Sequence, residues 1–371
     1  VAGGVAAAAL LAAALSWRPD VPAALPMPAV AVALADGVQV AVATGAPQGT
    51  PVAWAAEGRV QPAPPHGAWH EWPGIALVAR FEGEALHIAL DDPENRFRVR
   101  VDGVAVAEIT RPGASTIALR GLGPGAHDLR LERLSEAGTP RRIVSVTVPS
   151  PGRPLPAPTP PRHRIDIYGD SDTVGYGLAR GDRHCTGDDV FLSTDTTLAY
   201  PALLAARHGA SATVVARSGI GLIRGYGGSP PEQNMLALHG RTLPSFPDPS
   251  GAGAPWLIVV EVGANDFAQP LRAGEPWADG AALSAAFSAA YDGFLRGLSH
   301  QAPGTPILVL AAAEPGKDVP PEILAAADRL MSSGAPLRVV RVEGLDYLGC
   351  NWHPSAADHA RIADALAGAV D

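Results

Sequence analysis

The chain has 371 residues and a mass of 38.0 kDa, with 47% apolar and 18% charged residues and a mean hydropathy of +0.11; it can bury a core, exceeds one ordinary domain, and is not disordered throughout. Its 28 basic and 37 acidic side chains leave a net charge of −9, with no basic run, which argues against nucleic acid or an anionic membrane as partner. The 41 Gly and 37 Pro call for many turns rather than a helix bundle, and Lys317, the sole lysine, leaves almost no room for Schiff-base chemistry and none for a P-loop.

In chain order, Val1 to Ser16 form an Ala/Leu-rich apolar stretch ending in the small-x-small pattern Ala14-Leu15-Ser16. It reads as the core and cleavage site of a secretory signal without its basic start, and it is short for a membrane span. The expectation is a secreted or periplasmic protein with no stable membrane insertion. Residues 17–50 are rich in Pro, Ala and Val; weak alternation from Ala29 to Ala43 suits either a spacer or a first edge strand. From 51 to 148, alternating segments at Ile75–Phe81, Ala85–Leu90, Phe97–Val101, Asp128–Leu131 and Ile143–Val148 predict an all-β sandwich of jelly-roll type, in which Trp69 and Trp72 read as packing residues. The proline-rich run 149–162 reads as a stiff linker and domain boundary.

From 163 to 371 the pattern changes. Strands are predicted at Arg164–Tyr168, Ala212–Ala216, Trp256–Val262, Pro306–Ala312 and Leu337–Val342, and helices at Tyr200–His208, Gly280–His300, Pro321–Ser333 and Ser355–Val370. This alternation predicts an α/β domain, a parallel sheet flanked by helices on both faces, with its site at the carboxyl ends of the strands. Cys185 and Cys350, the only cysteines, form in an exported protein either one disulfide or two buried thiols. Neither has metal-ligand spacing and the 11 histidines do not cluster, so no metal and no cofactor is expected.

Four separated pieces carry chemistry: Gly169-Asp170-Ser171, Ser218-Gly219, Gly263-Ala264-Asn265-Asp266 and Asn351-Trp352-His353-Pro354. A serine directly after a strand presents its hydroxyl at the start of a helix, and ester hydrolysis needs a base beside that hydroxyl and donors for the oxyanion. His353 can be the base. The Ser171 and Gly219 N–H groups and the Asn265 amide, each after a different strand, can converge as donors. Each piece alone reads as an ordinary turn; all four in this order do not.

These blocks resemble those of the SGNH, or GDSL, hydrolase superfamily. The text around them, Gly169 to Gly177, Leu198 to Leu203, Ser218 to Gly227 and Gly349 to Pro354, with Glu71-Trp72-Pro73-Gly74 and Val101-Asp102-Gly103 in the sandwich, is similar to carbohydrate esterase family 2. The resemblance implies a flavodoxin-like SGNH domain behind a jelly roll, and removal of acetyl groups from plant cell-wall polysaccharides. It makes Ser171 the nucleophile, His353 the base, and Ser171, Gly219 and Asn265 the oxyanion donors. Where the familiar triad has a carboxylate two residues before the histidine, this chain has Asn351, whose carbonyl can orient the ring without offsetting its charge; a backbone carbonyl and Asp346 are the other candidates. Trp352, Arg224 and Tyr226 are candidate substrate contacts. Asp170, Asp266, Asp358 and His359 read as structural. A Cys185–Cys350 bridge would fix the histidine loop.

The expected function is therefore a serine esterase acting on acetylated polysaccharide or oligosaccharide through a Ser-His dyad. The alternatives are an esterase of other small acyl esters, and a carbohydrate-binding protein whose catalysis has decayed.

Overall fold

The structure, a computed structural model, describes residues 27–249, 253–313 and 316–370. The signal reading of residues 1–16, and the beginning of the 17–50 segment, lie outside them.

The first half is a sandwich of two antiparallel seven-stranded sheets. One runs Ala31–Ala33, Val104–Thr110, Arg96–Val101, Ala126–Arg133, Ala76–Glu82 and Arg153–Pro154, with Trp54–Glu57 also paired to Ala76–Glu82. The other runs Gln39–Ala43, Gly113–Arg120, Ala85–Asp92, Arg141–Val148, Gly67–His70 and Val60–Ala63, with Thr50–Pro51 on Arg141–Val148. Alternation sets the faces: Phe97, Val99 and Val101 fill the core together with Leu77, Ala79 and Phe81, while Arg98 and Arg100 point outward to Glu108 and Glu132 at 2.7 and 2.9 Å.

Of the two readings of the 17–50 segment, the edge strand holds and the bare spacer does not, because Ala31–Ala33 and Gln39–Ala43 form one edge of each sheet. Their alternation is weak because an edge strand built largely of small residues covers the core incompletely. Nor is the proline run only a connector. Arg153–Pro154 pairs with Ala76–Glu82, and Leu155 N donates to Arg80 O at 3.0 Å, an edge position being where a residue without an N–H is tolerated.

The second half carries a five-stranded parallel sheet in the order Ser211–Ala216, Arg164–Gly169, Leu257–Val260, Ile307–Ala312, Leu337–Val342. Helices Gly280–Gln301 and Pro321–Ser332 cover one face, Tyr200–Arg207 and Ala356–Val370 the other. Gly280–Gln301 forms because Leu283, Phe287, Tyr291, Phe294, Leu295 and Leu298 recur on one side, behind an Asp279 cap that accepts from Ala282 N at 2.8 Å. Successive strands are added first on one side of Arg164–Gly169 and then on the other, so a crevice opens between the carboxyl ends of Arg164–Gly169 and Leu257–Val260.

The two halves share more than a boundary. Trp72 of the sandwich is 1% exposed and belongs to the core of Tyr168, Val215 and Leu238. Arg98 reaches Asp195 at 2.9 Å, and Arg59 donates to the carbonyls of His239 and Arg241 at 2.5 and 2.8 Å.

Candidate active site

Ser171 opens the short helix Ser171–Val174, directly after strand Arg164–Gly169. Asp170 caps it, its side chain accepting from Asp172 N at 3.0 Å. Gly169 has no alternative: a Cβ there would lie 1.8 Å from Thr173 Oγ1 and 2.7 Å from Glu261 Oε2. The serine is 9% exposed and lines a cleft of about 770 Å³ that also takes in Gly219, Asn265, Tyr226, Trp352 and His353. The cleft thus gathers side chains that follow the first, second and third strands together with those of the last loop.

His353 stands just before helix Ala356–Val370, which starts in a capping box: Ser355 N donates to Asp358 Oδ2 at 3.1 Å and Asp358 N to Ser355 Oγ at 3.2 Å. The Asp358 carboxylate also accepts from Asp346 N and Tyr347 N at 2.9 and 2.8 Å, tying the two ends of the histidine loop together. Within the loop, Gly349 N bonds His353 O at 2.9 Å, Cys350 N bonds Gly177 O at 3.2 Å and Asn351 N bonds Arg183 O at 2.9 Å. Asn351 and Trp352 both have left-handed φ, 52° and 62°, a conformation that Asn tolerates but that the bulkier Trp holds only under outside constraint. A disulfide from Cys185 to Cys350, Cα atoms 5.4 Å apart, supplies part of it. Gly177 allows the approach, since its Cβ would sit 2.3 Å from Cys350 Cβ.

What orients the ring is the main chain. His353 Nδ1 lies 2.8 Å from Cys350 O and 3.2 Å from Asn351 O; carbonyls only accept, so Nδ1 carries the proton and Nε2 is the basic nitrogen. The Asn351 side chain does not do this work. Its Nδ2 donates to Tyr176 OH at 3.1 Å, and Asp346 accepts from Leu348 N at 2.8 Å. Tyr176 stacks on the His353 ring, centroids 4.2 Å apart. Because the orienting bond comes from a backbone carbonyl, Asn351→Asp is expected to change kcat by less than about threefold, as steady-state kinetics on an acetyl ester would show; a larger rise would mean that the new carboxylate reaches Nδ1.

Gly219 sits third in the turn Arg217–Ile220, closed by Ile220 N to Arg217 O at 3.1 Å, with φ 76°, the position at which a positive φ favours glycine. Asn265 lies on the short helix Ala264–Phe267. Its Nδ2 donates to Asp170 Oδ2 at 2.8 Å and Ile220 O at 3.0 Å, so an oxyanion would have to share one of these protons. Asp170 thereby orients the amide as well as the turn. Burial pushes its carboxyl up to about 7, aided by the charge of Asp172, and burial together with the charges of Asp170 and Asp172 drives Glu261 well above the usual range. Glu261 accepts from Asp170 N at 3.2 Å and Thr173 Oγ1 at 2.9 Å. Both shifts favour the neutral carboxyl, because burial and neighbouring carboxylates penalise the charged form.

The substrate candidates separate. Trp352 and Tyr226 line the cleft at 48% and 58% exposure; the Arg183 guanidinium covers the Trp352 ring at 3.7 Å, and Tyr226 OH accepts from Gln269 Nε2 at 2.8 Å. Arg224 is no substrate contact. It is 1% exposed and donates to Glu275 and to the carbonyls of Asp266, Gln269 and Pro270, while Asp266 receives the N–H groups of Leu222, Ile223 and Arg224. Its place on the loop after the Gly219 block, which made it a candidate, brings its backbone near the cleft while its side chain turns into the protein. Arg224→Ala is expected to lower stability by about 3–5 kcal/mol, measured by thermal unfolding. Tyr226→Ala is expected instead to raise KM for oligosaccharide with the melting temperature unchanged. Tyr176, Glu261 and Lys317 also line the cleft and were not singled out as site residues. For Glu261 a signal existed: a lone acid within the apolar run Val259-Val260-Glu261-Val262. Among the described residues no group of three His, Cys, Asp or Glu side chains could hold a metal ion, and no helix is long and apolar enough to cross a membrane.

A serine after the first strand of a five-stranded parallel sheet, in one cleft with a histidine from the loop before the last helix, is the arrangement expected of a GDSL-type hydrolase. Residues 167–367 match the GDSL-like lipase/acylhydrolase family and residues 56–158 the carbohydrate esterase 2 N-terminal family. An acetylxylan esterase / glucomannan deacetylase of Cellvibrio japonicus is 32% identical over 302 residues, 80% of this chain and 83% of that protein. Among solved structures, a carbohydrate esterase described as having divergent catalytic and non-catalytic binding functions at its active site superposes with TM-score 0.77 and 29% identity, covering 86% of this chain and 98% of the other. A family two carbohydrate esterase from Clostridium thermocellum, in complex with cellohexaose, shares the fold at TM-score 0.71 and 24% identity, covering 86% and 98%. The chain belongs to carbohydrate esterase family 2 of the GDSL-like hydrolases and is a carboxylic ester hydrolase.

Proposed function

We propose that this protein removes O-acetyl groups from plant cell-wall polysaccharides or their oligosaccharides through an acetyl-enzyme on Ser171, with a Ser171–His353 dyad. The observation that carries the reading is the His353 ring fixed by the Cys350 carbonyl in the cleft that Ser171 lines. Ser171 Oγ attacks the acetyl carbonyl while His353 Nε2 takes its proton. The tetrahedral oxyanion is held by the N–H groups of Ser171 and Gly219 and by the Asn265 amide. Collapse breaks the bond to the sugar oxygen, which leaves as a hydroxyl with the proton from Nε2. Water activated by the same nitrogen then releases acetate, and no cofactor enters either half.

A cleft rimmed by Trp352 and Tyr226 suits sugar rings, which present flat C–H faces to aromatics, and the name of the Cellvibrio japonicus relative points to xylan and glucomannan. The Cys185–Cys350 disulfide supports a secreted or periplasmic location. Acetate release from acetylated xylan and glucomannan, compared with release from a small ester such as 4-nitrophenyl acetate, tests the reading. Efficient cleavage of the small ester alone would move it to the general esterases, and binding of polysaccharide without any turnover would make it a binding protein.

A further inference from the structure

We infer that Glu136, a residue of the sandwich, is a positioning residue that fixes the oxyanion turn; this rests on the Ser171–His353 reading above. Glu136 lies between strands Ala126–Arg133 and Arg141–Val148 and reaches across to the residue before Gly219. Its Oε1 accepts from Ser218 N at 2.7 Å and its Oε2 from Ser218 Oγ at 2.5 Å. The base of this arm is rigid. Leu134 N bonds Arg96 O at 2.8 Å and Thr196 N bonds Leu134 O at 3.0 Å, while Ser135 Oγ accepts from Arg96 N at 2.8 Å and donates to Asn95 Oδ1 at 3.1 Å. A second sandwich carboxylate, on the 3%-exposed Glu71, holds the preceding residue through Arg217 at 3.3 Å and is itself fixed by Ser245 N at 2.8 Å.

The Gly219 N–H belongs to the planar Ser218–Gly219 peptide unit, and Gly219 has no side chain with which to anchor that plane. Holding Ser218 at both its N–H and its hydroxyl limits rotation of the plane from the upstream side. An oxyanion donor contributes through being aimed before charge develops, so what Glu136 supplies is direction. Its charge is not needed, and a glutamine of the same reach can accept from Ser218 N and donate to Ser218 Oγ.

The test compares wild type, Glu136→Ala, Glu136→Gln and Ser218→Ala below their melting temperatures, on 4-nitrophenyl acetate and with methylboronic acid as a tetrahedral mimic. Glu136→Ala is expected to lower kcat about tenfold, with KM changed less than twofold and boronate inhibition weakened by a similar factor. Glu136→Gln is expected to retain kcat within about threefold, and Ser218→Ala, which keeps the N–H contact, to fall between. Should Glu136→Ala fail to fold, the Ser218→Ala loss in kcat and boronate affinity carries the test. Loss of activity only in proportion to the unfolded fraction, or unchanged boronate affinity in Glu136→Ala or Ser218→Ala, would overturn the assignment. Wild type is measured first: no turnover there overturns the esterase reading and this assignment together, whereas turnover in wild type with an unaffected Glu136→Ala overturns this assignment alone.

Discussion

Ser171→Ala is expected to lower acetyl-ester turnover by about 10⁴- to 10⁶-fold while leaving the fold and oligosaccharide binding intact. The serine is small, and the turn that carries it is held by other groups: the Asp170 cap, the Glu261 and Thr173 contacts and the space limit at Gly169. Removing Oγ therefore takes away the proposed nucleophile without loosening its surroundings. Acetate release and calorimetric binding of a cello- or xylo-oligosaccharide, measured on the same preparation, separate the two effects. Residual turnover above one-hundredth of wild type would mean that the acyl-enzyme forms elsewhere, or that water is activated directly by His353.

Opening the Cys185–Cys350 bridge is the second large effect. The cysteines are 165 residues apart in sequence, and a closed loop of that length corresponds to about 3–5 kcal/mol of stability in the chain-entropy account. A catalytic loss should come with it. The carbonyl that fixes His353 Nδ1 is that of Cys350 itself, and the next two residues hold left-handed backbone. Reduction, or the paired change Cys185→Ser and Cys350→Ser, is expected to reduce kcat about tenfold at temperatures where the protein remains folded. Thermal unfolding and kinetics with and without reductant read both. If the melting temperature falls while kcat holds, the contacts of Asp358, Gly177 and Arg183 position the histidine without the bridge.

The sequence made legible those parts of the site whose position follows from chain order. Ser171, Gly219, Asn265 and His353 each stand in a short polar block after a strand or before the last helix, and in a parallel sheet those places all open to the same end. Groups that act across space were not legible. Glu136 sits in a sandwich loop with nothing local to tie it to Ser218, and Tyr176 looks like any aromatic in a glycine-rich turn. Arg224 was misplaced because its acceptors are three main-chain carbonyls, which no residue type announces, and Glu275, which lies 51 residues further along the chain. In the fold, strands with full apolar alternation such as Phe97–Val101 were readable. Val104–Thr110 was not, since its pattern of Ala, Glu and Val suits a helix as well, and the edge strands from Ala31 to Ala43 carry too little apolar bulk to stand out.

Trp72 bears on how such a chain can be divided. It lies ahead of the proline run in sequence, yet its ring fills the core of the half that follows. A fragment beginning at residue 163 would lose that indole from the cluster it shares with Tyr168, Val215 and Leu238, expose the apolar surface it covers, and leave Ser218 and Arg217 stripped of their acceptors. The sandwich is thus an internal wall of the enzyme, and a recombination event that exchanged it for an unrelated β-domain would have to bring an equivalent indole and two carboxylates to the same places.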